Sequence, residues 1–117
     1  MSALRDRFVP VAGRRKKSET PPKPSVDLDR SFGPNLRHWR NKRGYSQERL
    51  AQRADLHRTE IGLLERGERE PKLGIITKLA GALGVSPNVL FEGLAFVPSE
   101  TEQGHFTYDP PEREPLA

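Results

Sequence analysis

His57, Arg58 and Thr59, followed by Gly62, Leu63 and Arg66, form the stretch of this sequence best equipped for recognition chemistry. At about 100° per residue, Thr59, Gly62, Leu63 and Arg66 share one side of a helix and Ile61 and Leu64 the other. An arginine can pair with both O6 and N7 of guanine, and an exposed leucine can meet a thymine methyl. A glycine inside a helix costs about 1 kcal/mol relative to alanine, a cost that a close approach to a groove would explain. The chemistry implied is the reading of base edges in double-stranded DNA. For Arg66, Arg69 and Lys72, phosphate contact and plain solvated charge are equally good readings.

Other chemistries find little footing. His38, His57 and His105 are scattered without metal-ligand spacing, no Gly-rich phosphate loop is present, and the 117 residues include no cysteine. The expectation is a non-enzyme without cofactor or metal.

The candidate reader needs helices to position it. Helix 1 is expected to start near Ser31 as N-cap, with Pro34 in its first turn and Phe32, Leu36, Trp39, Arg40 and Arg43 as its inward stripe. Gly44 stops it. Ser46 caps helix 2, whose inward positions are Leu50, Ala51 and Ala54, and Asp55-Leu56 makes the turn. Helix 3 runs from about His57 to Arg66 and ends at Gly67. The residue at its cap, His57, is weaker there than Ser, Thr or Asp, and Glu60 is placed to help as the returning half of a capping box. Helix 4 spans about Lys72 to Leu83, with Leu73, Ile76, Leu79, Ala80 and Leu83 inward. A fifth helix follows Ser86-Pro87 and carries Val89, Leu90 and Phe91. Arg40 and Glu65 are opposite charges on apolar stripes; burial without a partner is too costly, so they should pair as a structural unit.

Charge divides the chain into three. Residues 1–30 hold eight Lys/Arg against four Asp/Glu, residues 31–93 eleven against seven, and residues 94–117 one against five. The first segment, with Arg14-Arg15-Lys16-Lys17 and Thr20-Pro21-Pro22-Lys23-Pro24, reads as a disordered basic arm. Residues 31–93 read as an all-α helical domain. Residues 94–117 read as an acidic extension in which Leu94–Val97 and His105–Tyr108 could pair as a hairpin around a loop from Pro98 to Gly104. With no leader-like apolar run at the start and no stretch long enough to span a bilayer, a soluble, cytoplasmic protein is expected.

The run Gly44-Tyr45-Ser46-Gln47-Glu48-Arg49-Leu50-Ala51, then Leu56, Ile61 and Leu64-Glu65-Arg66-Gly67, resembles the Cro/phage-repressor (XRE) type of helix-turn-helix domain. Pro71, Leu73, Ile76, Leu79-Ala80 and Leu83-Gly84-Val85 are similar to its fourth helix. The resemblance implies a compact five-helix, lambda-repressor-like domain, usually dimeric, that represses or activates transcription. It implies base contacts from His57, Arg58 and Thr59, joined by Gly62 and Leu63. It makes Gln47 a phosphate-clamping residue, with Ser46, Arg66, Arg69 and Lys72 as further backbone contacts, and it pairs Arg40 with Glu65 behind the recognition helix. Leu56-His57-Arg58-Thr59 with Glu65-Arg66-Gly67-Glu68-Arg69 also resembles the controller proteins of restriction–modification systems. The expected partners are double-stranded DNA and a second copy of the chain. An antitoxin or adaptor using the same domain to hold a toxin or other protein is the rival reading.

Overall fold

The structure, a computed structural model, describes residues 25–113; the Arg14–Lys17 run and most of the basic arm lie outside them, as does the end of the acidic tail. Four α-helices, a 3-10 turn and a two-stranded sheet follow in order: α1 Leu28–Lys42, α2 Gln47–Ala54, α3 Arg58–Arg66, α4 Leu73–Leu83, the turn Pro87–Phe91, β1 Leu94–Val97 and β2 His105–Tyr108.

The first helix begins at Leu28, earlier than the expected Ser31. Asp27 is the N-cap: its carboxylate accepts hydrogen bonds from the Asp29 and Arg30 amides, and an acceptor there satisfies otherwise orphaned donors. Ser31, instead of capping, donates its hydroxyl to the Asp27 carbonyl at 2.9 Å. Pro34 therefore lies inside the helix, past the first turn, with its ring on the exposed side.

Helices α2 and α3 meet through a short left-handed turn. Asp55 has φ 59°, and the Leu56 amide reaches back to the Ala51 carbonyl at 2.9 Å, closing the end of α2. Leu50, Ala51 and Ala54 of α2 and Ile61 and Leu64 of α3 then enter one core with Phe32, Leu36, Ile76, Leu79, Leu83 and Leu90. Two expected inward residues fall outside it. Leu73, in the first turn of α4, is 79% exposed. Arg43 is the C-cap of α1 and exposed, with its Nε–H donating to the Leu83 carbonyl at 2.7 Å and its guanidinium 5.8 Å from the Trp39 ring centre.

The fifth helix is a 3-10 turn. Pro87–Phe91 gives five residues, and Ser86 spends its hydroxyl on the Asn88 side chain and leaves the turn without a side-chain cap. Too few residues remain to offset the cost of nucleating an α-helix. The two expected strands form an antiparallel hairpin with Leu94 opposite Tyr108 and Val97 opposite His105.

A hairpin of this size is marginal alone, and Asn35 secures it. This side chain is completely buried in α1. Its Nδ2 donates to the Leu90 and Glu92 carbonyls, each at 3.0 Å. Its Oδ1 accepts from the Tyr108 hydroxyl at 3.1 Å and from Arg113 at 2.9 Å. One amide thus joins helix, turn, strand and C-terminal segment. Asn35→Ala should lower stability by about 2 kcal/mol or more, since several partly buried groups lose their partner, and Tyr108→Phe by about 1 kcal/mol. Urea denaturation of both variants checks this; an unchanged midpoint for Asn35→Ala would show that the amide does not hold the hairpin.

Candidate nucleic-acid interface

The second helix of the pair, α3, is fixed from behind by a buried carboxylate. Glu65 is only 6% exposed, yet its oxygens are occupied. Arg40 Nε lies 2.5 Å from Oε2 and its Nη2 3.0 Å from Oε1. Gln47 Nε2 donates to Oε1 at 3.1 Å, and Arg37 Nε approaches the same oxygen at 3.4 Å. Arg40 also donates to the Tyr45 carbonyl at 2.9 Å. Burial pushes the Glu65 carboxyl up, but hydrogen bonds from Arg40, Gln47 and Arg37 and the charge of Arg40 outweigh it, so it lies below its ordinary value of 4.5. Close packing reinforces the clamp: a Cβ on Gly33 of α1 would run into the Glu65 carbonyl. Sequence reasoning missed Gly33 and Arg37; the spacing of Arg37 from Arg40, one helical turn, was the available signal.

The opposite side of α3 faces outward. His57 is the N-cap, and its Nδ1 accepts from the Thr59 amide at 3.2 Å. Imidazole thus performs the capping expected of a hydroxyl or carboxylate. His57, Arg58 and Thr59 are all exposed at this end, and Leu63, one turn further on, is half-buried. Gly62 is buried: a Cβ there would sit 3.1 Å from Arg66 Nη1 and 3.8 Å from Gln47 Oε1. Its small size leaves room for the Arg66 guanidinium to lie back over the helix beside Gln47.

The basic residues around this surface are partly engaged. Arg66 Nε is 3.2 Å from Glu68, and Arg69 Nη1 is 3.1 Å from Glu60. Glu60 therefore pairs with Arg69 rather than closing a capping box with His57. Ser46 caps α2 by accepting from the Arg49 amide at 3.0 Å, and Lys72 is the exposed N-cap residue of α4. The structure brings Gln47, Gly62, Glu65 and Arg66 together at the junction of α2 and α3, and His57, Arg58 and Thr59 at the free end of α3.

This arrangement is matched elsewhere. The helix-turn-helix family model matches residues 36–90. The chain is 47% identical over 62 residues to control protein C.BamHI of Bacillus amyloliquefaciens, covering 52% of this chain and 76% of that protein. The chain belongs to the XRE-type helix-turn-helix family of transcriptional regulators. It is also 42% identical over 62 residues to the SPbeta prophage-derived regulator YonR of Bacillus subtilis, across 53% of this chain and 57% of that one. Among solved structures, the restriction–modification controller protein C.AhdI from Aeromonas hydrophila superposes with a TM-score of 0.53 at 46% identity, over 56% of this chain and 97% of that one. The chain thus spans little more than half of the prophage regulator but nearly all of this controller.

In such a helix-turn-helix the buried carboxylate should be measurable. The folded state holds Glu65 ionised below its ordinary value, so its contribution is complete above about pH 4.5 and fades as pH falls below that. Glu65→Gln should destabilise the protein near neutrality and flatten the loss of stability as pH falls below about 4.5. Glu65→Ala, which strands Arg40, should cost about 3–5 kcal/mol. Thermal melts across pH test both; parallel acid limbs for wild type and Glu65→Gln would contradict the assignment.

Proposed function

We propose that the chain binds a specific sequence of double-stranded DNA through α3 and regulates transcription, acting in the cytoplasm as a homodimer. The observation that carries this reading is the two-sidedness of α3. One side is locked by Ile61, Leu64 and Glu65, while the first turn offers exposed His57, Arg58 and Thr59. A recognition helix that enters the major groove N-terminus first presents that turn to base edges. Arg58 is assigned to a guanine, His57 and Thr59 to neighbouring bases, and Leu63 to a thymine methyl; Gly62, buried beneath the Arg66 guanidinium, is left without a base edge.

Ser46, Gln47, Arg66, Arg69 and Lys72 are assigned to the phosphate backbone. The carboxylate partners of Arg66 and Arg69 do not oppose this, because exposed ion pairs are worth little and a phosphate can replace the carboxylate. Gln47 is the best prepared of the set, since its amide is held by Glu65 at the start of α2. A dimer would read two half-sites about 10 bp apart. Of Val89, Leu90 and Phe91, the apolar residues of the turn at 87–91 that such a dimer would use, Leu90 is fully buried in its own core, Val89 is half-buried and Phe91 is 39% exposed.

Arg58 and Arg66 should fail in different ways. Arg58→Ala should cost about 1–3 kcal/mol on the preferred duplex and relax preference at one base pair per half-site. Arg66→Ala should weaken preferred and scrambled duplexes alike and lower the salt slope by less than about one, because the Glu68 carboxylate it leaves on meeting a phosphate takes up a cation. Binding isotherms on both duplexes across a salt series check this. Equal losses on the two duplexes for Arg58→Ala would reassign it to the backbone, and no duplex preference in the wild type would end the reading.

A further inference from the structure

We propose that the chain's own N-terminal segment docks in the apolar cavity between the start of α1, the α3–α4 loop and β1, with the Phe8 ring inside it and Arg7 against the carboxylates at its mouth. This contact stands apart from the DNA reading, and neither requires the other.

The cavity is the right size for one aromatic ring. Phe32 and Ile76 are its buried residues, and Leu28, Pro71, Phe91 and Leu94 its partly exposed ones. Its volume is about 140 Å³. An apolar cavity of roughly 150 Å³ accepts a benzene molecule. The Phe32 and Phe91 rings already stand 6.4 Å apart at a tilt of 49°, so a third ring would join an aromatic cluster of favoured geometry.

The mouth of the cavity is acidic. Asp29 and Glu70 line it together with the apolar residues. Among the described residues, neither carboxylate has a cation within ion-pair distance, and Arg30 is turned to Asp27 at 3.7 Å. Desolvation pushes the Asp29 carboxyl above its ordinary value, and the charges of Asp27 and Glu70 push it further. An aromatic residue with a cation beside it would cover the apolar lining and balance this charge.

Residues 1–24 supply that occupant. Phe8 is their one aromatic residue, Arg7 adjoins it, and the segment carries seven Lys/Arg against two Asp/Glu. The point from which it departs is fixed close by. Ser25 Oγ accepts from the Phe106 amide at 2.8 Å, and the Val26 amide donates to the Phe106 carbonyl at 3.1 Å. Leu28, on the cavity wall, follows two positions after Val26. Phe8 precedes Ser25 by 17 positions, and a flexible tether of that length spans roughly 20–25 Å. Such a tether gives an effective concentration on the order of millimolar, enough to populate a contact too weak for a free peptide. Held at both ends, residues 9–24 close into a loop, which keeps the Arg14–Lys17 cations near the domain and limits their reach toward distant polyanions.

The absence of cysteine from the sequence allows a clean test in the full chain. Ala12→Cys carries a nitroxide spin label, and its paramagnetic broadening of backbone amide signals is read in the isotope-labelled protein without DNA. Asp29, Glu70, Phe91 and Leu94 should broaden at least threefold more than Arg53, Asp55 and Lys78, which line a separate groove. Phe8→Ser, outside the folded core, and Glu70→Lys, in the exposed loop, should each cut that ratio at least in half while leaving the remaining signals in place. Equal broadening of the two groups, or a ratio that Phe8→Ser leaves intact, overturns the docking. Broadening that persists with label and isotope on different copies places the segment on a second chain and overturns the intramolecular contact. With no DNA present, either failure leaves the DNA reading standing.

Discussion

The Glu65 carboxylate is the constraint to which the geometry of the helix-turn-helix returns. Taking one charge out of water is costly, and the cost is offset only if its hydrogen bonds are filled in a narrow geometry. Here Arg37 and Arg40 come from α1 and Gln47 from α2, so satisfying the carboxylate fixes both helices against α3. Apolar contacts among Leu36, Leu50, Ile61 and Leu64 supply attraction but little direction. The ion cluster supplies direction. It also acts at the back of the helix whose front is the candidate reader, so any slack there would become misplacement of Arg58.

Asn35 plays the corresponding part at the other end of α1. It is neutral, so its burial is less costly than that of Glu65, and its four hydrogen bonds saturate the capacity of both Nδ2 protons and both Oδ1 lone pairs. The two hubs divide the labour along α1: Arg37 and Arg40 serve the helix-turn-helix, and Asn35 serves the turn and hairpin. That division explains how a hairpin outside the family-matched region can be integral to the fold.

Much of this was legible in the sequence where local rules dominate. Ser46 before an amphipathic run, and Gly44, Gly67 and Gly84 after their helices, mark boundaries because capping and left-handed stops are local chemistry. The two strands were legible from their apolar runs and the turn-rich loop between them. What was hidden depends on partners distant in sequence. Asn35 looks like an ordinary polar residue until Leu90 and Arg113 arrive from 55 and 78 residues away. Asp27 was obscured by Ser31, an equally good cap by type. In the candidate site, residue types along α3 identify an outward polar face, but they do not reveal that Gly62 accommodates Arg66 or that Glu60 engages Arg69.

The ion pairs Arg66–Glu68 and Arg69–Glu60 have a consequence for how solvent ions would take part in DNA binding. An arginine that meets a phosphate from free solution displaces condensed cations from the nucleic acid, and the entropy of their release drives association. An arginine already neutralised by a glutamate brings its own counterion with it. When the guanidinium turns to the phosphate, the abandoned carboxylate stays nearby and draws a cation back. The net number of ions released would then fall below the number of arginines at the interface. Such a surface would be less sticky toward arbitrary polyanions than its basic residues suggest, leaving a larger share of its discrimination to the base edges.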